Sequence, residues 1–233
     1  MAPSDEKKAS LALWIDNAAE EGGEPRVDRL TSRVMTIPHG ASLLGRPPAT
    51  SHAEIERAAF RLFALRGFDG TTLGAIAGEV GISRRTLLRY YDSKNDIPWG
   101  RFAETLDGFR ATLAAMPVDL PLYEAVHAAV LAFNRFDLDA HPSHRERMQL
   151  ILTTPTLQAH SVLRYGEWRR VIAEYVALRL DLRPDDLLPR TVGQVSLALA
   201  LSAYTHWLDR PDLALHDLLD LAMAGLRNYL GSP

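Results

Sequence analysis

Cysteine is absent from the 233 residues, and several classes of site are excluded with it. Disulfide bridges, zinc sites with thiolate ligands and cysteine nucleophiles all require it. Long apolar runs are missing too, since no stretch approaches the ~18 uncharged apolar residues that a membrane-spanning helix needs. The first ten residues, MAPSDEKKAS, lack the apolar core of a signal peptide. We therefore expect a soluble, cytoplasmic protein.

An excess of positive charge is also lacking, because the formal net charge is −3 and the isoelectric point is near 6.2. The chain as a whole does not attract nucleic acid, so any binding of a polyanion must depend on a local cluster of cations. Such a cluster exists in residues 81–96, GISRRTLLRYYDSKND, which combine arginines and a lysine with hydroxyl and aromatic side chains.

Motifs of common enzymes are missing as well. The sequence contains no G-x-S-x-G elbow, P-loop, G-x-G-x-x-G turn or H-E-x-x-H pair. The stretch HPSH brings His141 and His144 near Asp137 and Asp139, but no third firm metal ligand accompanies them, and surface histidines of a loop are the favoured interpretation. We expect neither catalysis nor a cofactor or metal.

From Thr50 onwards apolar residues recur at helical spacing, and no alternating strand pattern appears. The sequence therefore predicts an all-α fold. Three short helices are expected within residues 50–91, the first capped by Thr50 or Ser51, the second by Thr71 or Thr72 and the third by Ser83. Longer helices are expected at about 93–115, 121–139, 143–153, 156–181, 187–208 and 212–230.

This pattern predicts three regions. Residues 1–49 are expected to form a flexible N-terminal arm, whose four arginines would follow the minor groove of DNA: Arg26, Arg29, Arg33 and Arg46. Residues 50–97 are expected to form an N-terminal three-helix, helix-turn-helix DNA-binding region. Residues 98–233 are expected to form a C-terminal helical bundle for ligand binding and dimerisation.

The spacing in TLGAIAGEVGISRRTLLRYY is that of a helix-turn-helix. Ala77 is small where two helices would cross, and Gly81 suits a sharp helix end. A small core is expected to form from Ile76, Val80, Ile82 and Leu87 with Phe60, Phe63 and Phe68 of the preceding helix.

In this motif the first turn of the second helix meets base edges in the major groove. Arginine reads guanine and threonine contacts thymine, so Arg84, Arg85 and Thr86 are candidate base readers. Thr72 and Ser93 begin neighbouring helices whose N–H groups suit phosphate, and Lys94 adds charge beside them. The alternative is a solvated helix face with core tyrosines.

The segment AAFRLFALRGFDGTTLGAIAGEVGISRRTLLRYYDSKNDI resembles the DNA-binding region of TetR-family transcriptional regulators. The resemblance implies phosphate contacts from Thr72 and Lys94. Leu88 stands where the family usually has tyrosine, which would shift contacts to Arg89 or Tyr90. The full set of expected DNA-binding residues is Thr72, Ser83, Arg84, Arg85, Thr86, Arg89, Tyr90 and Lys94.

Three further segments, GRPPATSHAEIERAAF, YYDSKNDIPWGRF and HRERMQLILTTPTLQAHSVLRYGEWR, resemble the TetR-family regulators of the mycofactocin system. TetR-family proteins enclose an effector in their C-terminal helices and pair as dimers. The helices TVGQVSLALALSAYTHWL and LALHDLLDLAMAGLRNYL are apolar around most of their circumference, which independently favours a homodimer over a monomer.

The middle helices combine apolar and polar residues as ligand sites do. The candidate wall contains Phe133, Met148, Leu152, His160, Leu163, Arg164, Trp168 and Tyr204. Any one of them has a core-packing alternative. Arg164, Arg169 and Arg170 would receive phosphates at the cavity mouth, which suits an acyl-CoA, although another lipophilic metabolite remains open. A protein-interaction module and a DNA-binding protein without effector are the alternative functions.

Overall fold

Residues 50–137 and 139–231 are described by the computed structural model, and every regular element in these ranges is a helix. The predicted arm and its four arginines lie outside them. The α-helices are α1 (His52–Arg66), α2 (Leu73–Glu79), α3 (Arg84–Leu87), α4 (Phe102–Ala114), α5 (Leu122–Phe133), α6 (His144–Thr153), α7 (Pro155–Leu180), α8 (Leu187–Asp209) and α9 (Leu215–Gly231); a 3₁₀ helix spans Lys94–Trp99. The all-α prediction is confirmed.

Local capping sets where the first helices begin. Ser51 accepts a hydrogen bond from the Glu54 backbone N–H at 3.2 Å, and the Glu54 carboxylate accepts one from the Ser51 backbone N–H at 2.8 Å. This reciprocal capping box satisfies two otherwise orphaned donors. Thr72 caps α2 by accepting from the Ala75 N–H at 3.1 Å. Of the alternative caps, Ser51 and Thr72 are therefore the ones in use.

The first three α-helices pack around a small core that contains the predicted residues together with others such as Ile55, Leu62 and Leu157. Ile76 and Leu87 are fully buried, Phe63 and Phe68 are 5% exposed, and Phe60, Val80 and Ile82 pack against them. Gly81 has φ 70°, a left-handed conformation that glycine adopts without strain, and it turns the chain between α2 and α3.

Two of the long predicted helix ranges are wrong, and the helix expected to follow Ser83 over the whole of RRTLLRYY is a single turn that ends at Leu87. The helix expected at 93–115 is interrupted: a 3₁₀ helix ends at Trp99, Gly100 adopts φ 58°, and α4 begins only at Phe102. Pro98 has no N–H to donate, and a positive φ ends the helix, so both favour the break. The helix expected at 121–139 ends at Phe133, and Asn134 caps it by donating its side-chain amide to the Val130 carbonyl at 2.7 Å.

The long helices α7 and α8 pack against each other and form the centre of the C-terminal bundle, with α9 against α8 and α4 against α7. At Gly193 of α8 the backbones come so close that an added Cβ would lie 2.7 Å from the Arg169 carbonyl oxygen. The cavity described below is lined by α4, α5, α6, α7 and α8. In the described part of the chain, no helix is both long and apolar enough to cross a lipid bilayer.

Candidate nucleic-acid interface and ligand cavity

The one-turn helix α3 presents the predicted base-reading residues to solvent. Ser83 caps the turn by accepting from the Thr86 N–H at 3.0 Å, and the two side-chain hydroxyl oxygens lie 2.9 Å apart. Arg84 and Arg85 are exposed, and Thr86 is half-buried. Leu87, at the opposite side of the turn, is completely buried and anchors it in the core.

Three arginines of this surface form neither an ion pair nor a side-chain hydrogen bond with any described residue. They are Arg84, Arg85 and Arg89, and all three are exposed. Arg61 of α1, by contrast, is paired with Glu79 at 3.1 Å. The unpaired guanidinium groups leave positive charge and directed donors available to a polyanion.

Lys94 and Tyr90 differ from these three arginines because the side chains of both are already engaged within the protein. The Lys94 ammonium donates to the carbonyls of Phe68 at 2.7 Å and Thr71 at 2.9 Å, and lies 4.3 Å from the centre of the Phe68 ring. The Tyr90 hydroxyl donates to the Thr50 carbonyl at 2.5 Å. Lys94 thus ties the loop before α2 in place and retains one further donor.

A cavity of about 360 Å³ lies within the C-terminal bundle. Four of the eight predicted ligand residues line it: Phe133, Met148, Trp168 and Tyr204. Trp168 stacks on Phe109 with ring centres 5.5 Å apart, and this aromatic pair supports one wall. The other lining residues are Glu56, Pro98, Trp99, Gly100, Arg101, Phe102, Thr105, Asn134, Phe136, His144, Arg147, Ile151, Tyr165, Leu197, Ala200 and Leu201.

A chain of three polar side chains crosses one part of this wall. Tyr204 donates its hydroxyl proton to Asn134 Oδ1 at 2.5 Å, and His144 Nε2 lies 2.8 Å from the same hydroxyl oxygen. Since the only hydroxyl proton goes to Asn134, His144 must donate from Nε2. Burial, with the nearby charge of Arg147, lowers the pKa of His144 to about 3, so the imidazole is neutral. The expectation of a surface histidine is therefore wrong for His144.

One ion pair also lies in the cavity wall. Arg147 Nη2 is 2.5 Å from Glu56 Oε2, and the two side chains are only 19% and 12% exposed. The Glu56 carboxylate also accepts the Tyr91 hydroxyl at 2.6 Å, and the Arg147 guanidinium donates to the Pro98 carbonyl at 2.7 Å. Burial and the neighbouring carboxylate raise the pKa of Tyr91 well above its ordinary value, so Tyr91 remains a donor.

The remaining four predicted ligand residues do not line the cavity. His160 Nε2 and Arg164 Nη2 each lie 2.8 Å from Asp96 Oδ1 of the 3₁₀ helix. Leu163 is 67% exposed, and Leu152 packs beside α8 and α9. The predicted row of residues along α7 is therefore divided. His160 and Arg164 contact Asp96, and only Trp168 lines the cavity.

Arg169 and Arg170, which were expected at the cavity mouth, do not line the cavity either. Arg169 donates to the Gln194 side chain at 3.0 Å, and Arg170 pairs with Glu174 at 3.0 Å. Among the described residues, no group of three histidine, aspartate or glutamate side chains is arranged to bind a metal ion.

Several cavity residues were missed by sequence reasoning, although a signal existed for some of them. His144, Arg147, Met148 and Ile151 follow i, i+3, i+4 spacing on α6 and share the face that lines the cavity. Glu56 had no such signal, because it is 91 positions away from its partner along the chain.

Comparison with known proteins places the two parts of the chain in described families. Residues 55–97 match the family described as "Bacterial regulatory proteins, tetR family", and residues 120–231 match the "MftR C-terminal domain". A protein of Mycobacterium tuberculosis named as a mycofactocin biosynthesis transcriptional regulator, MftR, is 43% identical over 194 residues, covering 82% of this chain and 98% of the relative.

Solved structures share the fold. The fatty acid degradation regulator FadR of Bacillus halodurans superimposes with a TM-score of 0.56 at 17% identity, over 78% of this chain and 100% of that protein. FadR of Thermus thermophilus, a repressor solved in complex with lauroyl-CoA, superimposes with a TM-score of 0.50 at 23% identity, over 77% of this chain and 93% of that protein.

Proposed function

This chain belongs to the TetR family of bacterial transcriptional regulators, and on that basis we propose that it is a homodimeric repressor whose hold on DNA is released by a lipophilic effector. In this proposal residues 50–97 bind double-stranded DNA at a palindromic operator, and residues 98–233 bind the effector and pair the subunits. Because the target is chromosomal DNA, the protein acts in the cytoplasm. The observation that carries the proposal is the exposed turn at α3 with its unpaired arginines.

Arg84 and Arg85 are the base readers in this proposal. Both lie exposed at the start of α3, whose orientation is fixed by the buried Leu87. A bidentate arginine–guanine contact contributes ~1–3 kcal/mol of discrimination between bases. Thr86, in the same turn, is a further candidate base reader, while Thr72 and Lys94 serve phosphate contacts, which set register and do not read sequence.

A dimer provides two such turns on one duplex. Two half-sites of a palindrome are contacted at about 34–36 Å, one helical turn of DNA, or a multiple of it. Large apolar side chains remain exposed on the last two helices of the isolated chain, including Leu188 (52%), Val195 (37%) and Leu221 (66%). Their exposure supports pairing through α8 and α9, which would bury them between the subunits. A Leu221→Glu variant that stays dimeric in analytical ultracentrifugation would exclude this face.

An acyl-CoA is the effector class that we propose. The cavity wall is mostly aliphatic and aromatic, as an acyl chain requires, and the Thermus thermophilus relative is a repressor that binds lauroyl-CoA. Release from DNA is then a population shift: the effector binds the DNA-incompetent conformation better, and DNA weakens effector binding by the same factor.

The test is a gel-shift titration at fixed salt on the DNA flanking the protein's own gene, with and without lauroyl-CoA. We expect a specific shift that lauroyl-CoA reverses. Arg85→Ala should lose ~1–3 kcal/mol on the operator and much less on random duplex. Arg61→Ala, which removes an arginine already paired with Glu79, is the matched control.

The alternatives correspond to distinct outcomes. A specific shift unaffected by lauroyl-CoA or other metabolites would indicate a DNA-binding protein without effector. Absence of any specific shift, with Arg84 and Arg85 variants unchanged in function, would indicate a helical protein-interaction module.

A further inference from the structure

The Glu56–Arg147 pair joins the DNA-binding region to the C-terminal bundle. Glu56 lies on α1, the first helix of the helix-turn-helix region, and Arg147 lies on α6. Both side chains are largely buried, with Nη2 and Oε2 2.5 Å apart. A buried charge that loses its partner is strongly destabilising, so whatever competes for Arg147 alters how firmly α1 is held.

The same pair is part of the cavity wall, where a ligand would meet it. Gly100 lies directly beside the pair, and its lack of a side chain provides the space in which the two side chains meet. An added Cβ at this position would lie 3.3 Å from both Arg147 Nη1 and Glu56 Oε1. Arg101 also lines the cavity and keeps 59% of its side chain exposed, which places it where the cavity meets solvent. Arg101 is itself paired with Glu104 of α4, so Glu56 and Arg147 are the charged lining residues that pair with each other.

We propose, resting on the function above, that Arg147 is the specificity-determining residue for a ligand with an acyl chain and an anionic head group. The head group takes Arg147 from Glu56, while the chain lies against the aromatic wall at Trp168. Displacement of Glu56 removes the ionic tie between α1 and α6, and the DNA-binding region is released from its position on the bundle.

A second ion pair, between Asp96 and Arg164, also joins the DNA-binding region to the bundle. Asp96, on the 3₁₀ helix at the end of the DNA-binding region, binds Arg164 of α7 at 2.8 Å, and Arg164 is 23% exposed, close to the 19% of Arg147. Arg164 does not line the cavity. Replacing Arg164 therefore removes an ion pair between the two regions without removing a residue of the cavity. Replacing Arg147 removes both, so the two variants distinguish loss of the ion pair from loss of a ligand contact.

The experiment measures ligand affinity by calorimetry on the purified protein, with dodecanoate and 1-dodecanol as probes of equal chain length. We expect dodecanoate to bind about tenfold more tightly or better, the effect of a charge-assisted hydrogen bond. Arg147→Gln should abolish this preference. Arg164→Gln, although it lowers stability, should retain it. Lauroyl-CoA in a third titration distinguishes a carboxylate from a phosphate as the anion that Arg147 recognises.

Glu56→Gln keeps the proposal testable if Arg147→Gln does not fold, which circular dichroism would show. Removing the competing carboxylate should raise dodecanoate affinity and, at the same time, reduce the release of operator DNA per bound ligand. A purely structural role for Glu56 would not move these two quantities in opposite directions.

Equal binding of dodecanoate and 1-dodecanol, no binding of any of the three probes, or an anion preference that survives Arg147→Gln would each overturn the inference. Any of these results leaves operator binding by the ligand-free protein intact. Failure of the ligand-free protein to bind its operator would instead overturn the proposed function, whatever the probes do.

Discussion

Asp96→Asn is expected to destabilise the protein although it changes neither the size nor the shape of the side chain. The Asp96 carboxylate accepts from the Ser93 N–H at 2.9 Å, the Ser93 hydroxyl at 2.7 Å, and His160 and Arg164 at 2.8 Å each. All four partners are donors. In asparagine an NH₂ group replaces one of the two carboxylate oxygens. This group donates and cannot accept, so the two donors that face it lose their acceptor and about half of the hydrogen bonds are lost.

The expected loss is ~2–4 kcal/mol in the free energy of unfolding, from two lost hydrogen bonds and a weakened partner for a partly buried guanidinium. Urea denaturation at pH 7 measures it. Glu167→Gln is the control: it alters the exposed carboxylate that contacts Arg164 at 3.3 Å and should cost less than ~1 kcal/mol. A loss below ~1 kcal/mol for Asp96→Asn would refute the reasoning.

The difference in the free energy of unfolding between wild type and Asp96→Asn should depend on pH in a definite direction. Burial alone raises the pKa of Asp96, but hydrogen bonds from Ser93, Arg164 and His160 outweigh it, and the pKa lies below its ordinary 3.8. A carboxylate whose pKa is lowered by folding contributes stability above the unfolded pKa and loses it as the pH falls through the folded pKa. The gap between wild type and Asp96→Asn should therefore narrow below about pH 4.

Three further substitutions test other parts of the structure. Tyr204→Phe leaves two buried polar side chains of the cavity without their shared hydroxyl, and should lower stability by ~1–3 kcal/mol in thermal unfolding. Gly100→Ala places a side chain at φ 58° and crowds the ion pair in the cavity; a loss of ~1–3 kcal/mol is expected, and none would contradict the described backbone. Lys94→Met should weaken binding to all DNA sequences and lower by about one the slope of the logarithm of DNA affinity against the logarithm of salt concentration. An unchanged slope in filter binding would show that Lys94 does not contact phosphate.

Much of the fold could be predicted because its signals are local. The capping residues Ser51 and Ser83 and the glycine at 81 lie within a few positions of the helices that they limit. The interruption before α4 was missed although Pro98 and Gly100 mark it, because the apolar pattern continues across the break. Periodicity reports which face is buried and does not report a change of backbone conformation.

The cavity was only partly predictable because α7 is a long helix. Helix α7 has 26 residues and extends over about 39 Å, so one face of it passes more than one neighbour. His160 and Arg164 lie on the predicted face, yet they meet Asp96 before the helix reaches the cavity at Trp168. The pair of Glu56 and Arg147 was not predictable, since nothing in a single sequence connects two positions so far apart.

The position of Glu56 also limits how regulators of this kind can be recombined. A chimera that joins residues 50–97 of one family member to the bundle of another exchanges one residue of the cavity wall together with the DNA-reading turn. If the new head carries an uncharged residue at this position, Arg147 loses its carboxylate even though every residue of the bundle is retained. If the proposed ligand response is correct, a functional hybrid must therefore carry the acidic residue of α1 along with the bundle.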